Sequence, residues 1–94
     1  MNVIDWPPIL ILGRDTCEDT IRSRAHLTAR GIPFAYRNVE FDAEADAINR
    51  SHNGGNRVTP VILIGDPGRP ALALVEPSDD ELDAAIDAAI NGSA

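Results

Sequence analysis

Ile9-Leu10-Ile11-Leu12 is an unbroken apolar run, and it constrains this chain more than any other feature. A strand with one face in water alternates apolar and polar residues, so a run with no polar residue reads as a central strand buried on both faces. Something must therefore cover each side of the sheet to which it belongs. A second run, Val61-Ile62-Leu63-Ile64, marks another strand. Ninety-four residues hold one modest core and leave no room for a second, so a single domain over 1–94 is expected.

The segments between these runs supply the covers. The paired prolines in Trp6-Pro7-Pro8 exclude regular helix in the residues that lead to the first strand. From Cys17 to about Arg30, Cys17, Ile21, Ala25 and Thr28 recur at helical spacing with Leu27 beside them, and Gly31 and Pro33 stop the helix. Phe34–Phe41 reads as a strand, with Ala35, Arg37 and Val39 on one face and Phe34, Tyr36 and Asn38 on the other. Asp42 caps a second helix with acids in its first turn, and Asn53-Gly54-Gly55-Asn56 breaks it. Val61–Ile64 and Ala71–Val75 are joined by a short, turn-rich stretch, which favours an antiparallel hairpin. Ser78-Asp79-Asp80-Glu81 is a capping box, and Leu82, Ala85, Ile86, Ala89 and Ile90 follow on one stripe. The expected order is β-α-β-α-β-β-α, an α/β fold with a mixed four-stranded sheet and three helices on its two faces. The first two strands flank a helix and should be parallel.

Composition removes several function classes. Acidic residues exceed basic ones by seven, which argues against nucleic acid and anionic membranes as partners. No run is long enough to span a bilayer and the N-terminus lacks a signal pattern, so a cytoplasmic location is expected. One cysteine and two scattered histidines show no metal-ligand spacing. A single cysteine also rules out an intramolecular disulfide.

That cysteine is the chief candidate for chemistry. Cys17 lies between a strand end and a helix start, where unpaired N–H groups and the helix dipole favour an anion, and a thiol there loses its proton more readily. Arg14 and Arg22 add positive charge, while Asp15, Glu18 and Asp19 oppose it; the sequence leaves the balance open. Thr20 occupies the place where a C-x-x-C motif has its resolving cysteine. Its hydroxyl either hydrogen-bonds the thiolate or packs against its own helix, and it cannot form a disulfide. Thr59-Pro60 is expected to be cis, turning Thr59 toward the sulfur so that its backbone pairs with an extended substrate. Arg57 is either a substrate-carboxylate ligand or a solvated loop charge. His26 and His52 read as solvated helix-surface residues.

With these residues in view, the chain resembles the glutaredoxin family across nearly its full length, and most closely the actinobacterial mycoredoxins. The resemblance rests on the strand leading to Arg14-x-x-Cys17, on Asn53-Gly54-Gly55-Asn56-Arg57-Val58-Thr59-Pro60, and on Glu76-Pro77-Ser78-Asp79-Asp80-Glu81. It implies a thioredoxin-like fold and reduction of mixed disulfides between proteins and a low-molecular-weight thiol. Cys17 would be the nucleophile with Thr20 beside it. Arg14, Arg57, Thr59 and Pro60 would bind the thiol substrate, with Ser78 and Asp79 across the groove. The resemblance further implies a monomer with no tightly bound cofactor, acting on S-thiolated proteins. Glutathione-using members have a Gly-Gly-x-Asp turn where this chain has Val75-Glu76-Pro77-Ser78, which favours mycothiol over glutathione as co-substrate. The active-site run Cys17-Glu18-Asp19-Thr20 departs from the two-cysteine mycoredoxin motif and makes this a monothiol-type variant. Two alternatives accompany this reading: a binding or regulatory module of the same fold without redox turnover, and an iron–sulfur cluster-binding monothiol glutaredoxin.

Overall fold

The computed structural model describes residues 6–91, so the expectation for the residues before Trp6 lies outside it. The elements run β1 (Ile9–Gly13), α1 (Glu18–Ala29), β2 (Ala35–Asn38), α2 (Ala43–Ser51), β3 (Val61–Asp66), β4 (Arg69–Val75) and α3 (Asp79–Asn91), in the expected order. The four strands form one mixed sheet ordered β2-β1-β3-β4. β1 pairs parallel with β2 and antiparallel with β3, and β3–β4 is the expected hairpin.

The two apolar runs are the inner strands, and each divides its side chains between two cores. Ile9, Ile11, Ile62 and Ile64 meet Leu27 of α1 and Leu82, Ala85 and Ile86 of α3. Leu10, Leu12, Val61 and Leu63 meet Val39 and Ala45 on the α2 side. All eight strand residues are buried, as a strand covered on both faces requires. At about 1.5–3 kcal/mol per buried aliphatic side chain, these two layers dominate the stability of the domain.

Two local expectations are corrected. β2 ends at Asn38 and does not reach Phe41, because the Asn38 side chain accepts the Glu40 N–H at 2.8 Å and its carbonyl accepts the Phe41 N–H at 3.2 Å. An asparagine that bonds its own downstream backbone makes a turn where a longer strand was expected. Helix α1 is also rotated relative to its apolar pattern. Ile21, Ala25 and Thr28 are exposed, while Thr20, Ser23 and Leu27 are buried. The helix turns two hydroxyl side chains inward, and the reason lies at its N-terminus.

Both caps expected from the sequence are present. The Asp42 carboxylate accepts the Ala45 N–H at 3.0 Å. In the box that starts α3, the Ser78 hydroxyl accepts the Glu81 N–H at 3.1 Å while Glu81 accepts the Ser78 N–H at 2.9 Å.

Candidate functional site around Cys17

β1 delivers the chain to Gly13, and Arg14–Thr16 then turn it into α1, with Cys17 as the N-cap residue in extended conformation. The Cys17 carbonyl starts the helix by accepting the Ile21 N–H at 2.9 Å. The thiol donates to the Thr59 carbonyl at 3.5 Å, across forty-two positions of sequence. Thr59-Pro60 is a cis peptide. Cys17 and Thr59 line one depression together with Arg14, Asp19, Arg57, Val58 and Glu76.

Two of the three carboxylates near the thiol are paired with other side chains. Asp15 accepts a hydrogen bond from the Tyr36 hydroxyl at 2.7 Å and lies 3.8 Å from Arg24. Asp19 is bound by Arg22 at 2.8 Å. Glu18 is exposed with no such partner among the described residues, and the Asp19 pair also occupies Arg22. Partial burial pushes the Cys17 thiol up, but hydrogen bonds from the Thr20 and Thr59 hydroxyls and from the Thr20 and Asp19 N–H groups outweigh it, so the thiol sits below its ordinary value. Tyr36 shows the opposite case: burial and the hydrogen bond to Asp15 push its phenol up to about 12.

Thr20 packs against the end of β1, not against its own helix. It is fully buried, so it packs, and its hydroxyl accepts the Arg14 N–H at 3.4 Å while favouring the thiolate of Cys17. This contact explains the rotation of α1. A Cβ on Gly13 would stand 2.6 Å from both Thr20 Cγ2 and Oγ1, so only a glycine lets the helix come this close to the end of β1. Gly13→Ala is therefore expected to destabilise the domain by about 2 kcal/mol, a usual overpacking penalty. Thr20→Ala in the same chain should recover more than half of that loss. Urea unfolding of the two single variants and the double variant measures the coupling.

Arg14 turns toward Thr59, its Nε–H donating to the hydroxyl at 3.4 Å. Arg57 also reaches the depression, but its guanidinium is held by Asp46 at 2.8 Å, so it is neither free nor fully solvated. Ser78 and Asp79 lie in an adjoining depression that shares Asp19 and Glu76 with the first. There Ser78 is engaged in the cap, and Asp79 faces Arg22 at 3.6 Å and His26 at 3.7 Å. His52 is exposed at the end of α2, as expected. His26 is not a solvated surface residue: its ring lies 2.7 Å from Asp83 and ties α1 to α3.

One residue of the site is not apparent from the sequence reasoning. Asn49 is fully buried in α2, where its amide donates to the Val58 carbonyl at 2.7 Å and to the Leu12 carbonyl at 3.3 Å, and its carbonyl oxygen accepts the Val58 N–H at 3.1 Å. It thus holds both polar groups of the peptide just before Thr59. The signal that could have found it is an asparagine on the same helical stripe as Ala45 and Ile48, where a polar side chain needs a buried backbone partner.

Among the described residues no group of three or more His, Cys, Asp or Glu side chains is placed to hold a metal ion. None of their helices is long and apolar enough to cross a membrane.

Strand order, the helix beginning at the thiol and the cis-Pro opposite it define a thioredoxin-like fold of the glutaredoxin type. In agreement, the chain is similar to a glutaredoxin from Brucella melitensis known from its solution structure, with a TM-score of 0.60 and 24% identity over 87% of this chain and 80% of the other. No protein-family model matches the sequence, and no curated protein sequence matches it.

Proposed function

We propose that this chain is a monothiol-type thiol–disulfide oxidoreductase that reduces mixed disulfides between proteins and a low-molecular-weight thiol. The observation that carries this reading is the placement of Cys17 Sγ at the start of α1, in a depression that also contains Thr59, with hydrogen bonds that favour the thiolate. The thiolate attacks the small-thiol sulfur of the mixed disulfide. A bond forms from Cys17 to that sulfur, the protein sulfur leaves as a thiolate, and it takes a proton from solvent. Because Thr20 cannot form a disulfide, a second molecule of the small thiol must attack the Cys17 adduct as its thiolate. This releases the oxidised small thiol and regenerates the Cys17 thiolate. The Arg57-Val58-Thr59-Pro60 segment and the Val75-Glu76-Pro77-Ser78 turn support mycothiol over glutathione as the co-substrate. The reading treats residues 1–94 as one domain acting as a monomer in the cytoplasm, with no tightly bound cofactor.

The alkylation rate of Cys17 by iodoacetamide, followed against pH, should show a midpoint below the free-cysteine value of about 8.5. Because the folded-state value lies below the unfolded one, the thiolate adds stability that is fully present above about pH 8.5 and is lost as pH falls through the folded value. Mass spectrometry after exposure to oxidised mycothiol and oxidised glutathione should find a Cys17 adduct formed faster with mycothiol. A midpoint at or above 8.5 together with no transferable adduct would refute the reading.

A further inference from the structure

Glu76 is the one non-glycine residue with positive φ among the described residues, at +48°. This left-handed region is unfavourable for a side-chain-bearing residue other than Asn or Asp, and the following Pro77 restricts the backbone further. The conformation is held by the neighbouring strand end, since the Glu76 N–H donates to the Pro60 carbonyl at 2.9 Å. A glycine would take up this backbone without strain. The chain has a carboxylate there instead, on the wall of the Cys17 depression.

The surrounding charges show what this carboxylate does. Within the depression Arg57 is neutralised by Asp46 and Asp19 by Arg22, while Arg14, turned to the Thr59 hydroxyl, and Glu76 enter no ion pair among the described residues; of these two only Glu76 also lines the groove toward α3. Toward α3 the groove continues past Asp19, Glu76, Asp79, Asp80 and Glu81, with Arg22 as the only cation on its wall. A helix N-terminus ordinarily offers free N–H groups to a carboxylate or phosphate. At the start of α3 the Ser78 N–H is already taken by the chain's own Glu81, whose carboxylate accepts it at 2.9 Å and adds negative charge there.

We infer that Glu76 is a specificity-determining residue of the Cys17 site, selecting disulfide and thiol partners whose arm toward α3 is neutral or cationic and rejecting those that carry a carboxylate there. The inference rests on the redox reading above and names the charge class of the small-thiol partner. Glu76 acts on the approaching partner through space and takes no part in bond exchange.

Three small disulfides of different charge test it: cystamine, hydroxyethyl disulfide and oxidised glutathione. Rates of Cys17 adduct formation are measured for each and divided by the rate of the same disulfide with a free thiol at the same pH. The wild-type chain should favour the cationic and neutral probes over the anionic one. Glu76→Gln should raise the ratio of the oxidised-glutathione rate to the hydroxyethyl-disulfide rate by about threefold to tenfold, and the wild-type ratio should rise similarly at about 1 M salt, where charges are screened within about 3 Å. Glu76→Gly should match Glu76→Gln in this ratio and unfold at a higher temperature, since it also relieves the left-handed backbone. If the ratio is the same in wild type and Glu76→Gln while hydroxyethyl disulfide reacts readily, the assignment to Glu76 is wrong and the redox reading stands. A change with Glu76→Gly alone assigns the effect to the backbone and also overturns it. If no probe forms an adduct at Cys17, this inference is overturned, and the redox reading falls with it only if oxidised mycothiol forms none either.

Discussion

Cys17→Ser is expected to eliminate the proposed thiol transfer and to leave the fold unchanged. No other cysteine exists in the chain to take over the attack, and a serine hydroxyl neither ionises near neutral pH nor exchanges with a disulfide. The expected loss in mixed-disulfide reduction is therefore at least about a thousandfold, down to the rate of the free small thiol, corresponding to about 4 kcal/mol in the barrier. The thermal midpoint should move little at pH 6, because the thiol contributes one weak hydrogen bond to Thr59. Thr20→Cys is the informative companion. A second thiol at this position can attack the Cys17 adduct from within the chain, so adduct resolution should lose its dependence on small-thiol concentration while the first attack still requires Cys17. A Cys17→Ser chain that reduces the mixed disulfide as fast as wild type would end the redox assignment. Partner capture that survives the same substitution would favour the binding-module alternative.

The parts of this molecule written in apolar pattern are legible from the residues alone. Ile9–Leu12 and Val61–Ile64 announce two strands covered on both faces, and they are the inner pair of the sheet. Caps are equally legible, because Asp42 and the Ser78/Glu81 pair use short-range chemistry that needs no knowledge of the fold. The buried face of α1 is not. Its stripe of Cys17, Ile21, Ala25 and Thr28 has the right period on the wrong side, since Thr20 must reach Gly13 and carries the helix round with it. Hydrophobic periodicity assumes that apolar side chains choose the inward face, and a helix whose first turn builds a site does not obey it. The charge balance at the thiol is hidden for a related reason. Asp15 and Asp19 are neighbours of Cys17 in sequence, but their partners Tyr36, Arg24 and Arg22 are set by the packing of α1 and β2. His26 likewise gains its partner Asp83 from a helix more than fifty positions away.

Asn49 is the clearest case of a site residue that only the fold reveals, and its replacement by leucine should produce the largest loss of stability of any substitution near the site. Leucine keeps the branched shape of asparagine but is larger, so no cavity opens and packing alone predicts only a modest overpacking cost. Hydrogen bonding predicts otherwise. Asn49 satisfies the Val58 N–H and both the Val58 and Leu12 carbonyls from a fully buried position, and leucine leaves those groups without this partner. Each unsatisfied buried group carries a penalty of about 1–3 kcal/mol, so the expected loss in urea unfolding is about 3 kcal/mol after partial relaxation. Because Val58 precedes Thr59, loosening it also withdraws the Thr59 hydroxyl from the thiolate. The midpoint of the alkylation profile of Cys17 should accordingly rise in Asn49→Leu toward that of free cysteine, although residue 49 lies in α2 and not in the wall of the Cys17 depression. Asn49→Asp separates the two effects, since its carboxylate still accepts the Val58 N–H while donating nothing to either carbonyl. It should keep Val58 closer to its place than leucine does, and so raise the midpoint less. If Asn49→Leu unfolds with wild-type stability, the three hydrogen bonds contribute nothing net. If it is destabilised but its alkylation midpoint stays at the wild-type value, Asn49 supports the fold without positioning the thiol's partner.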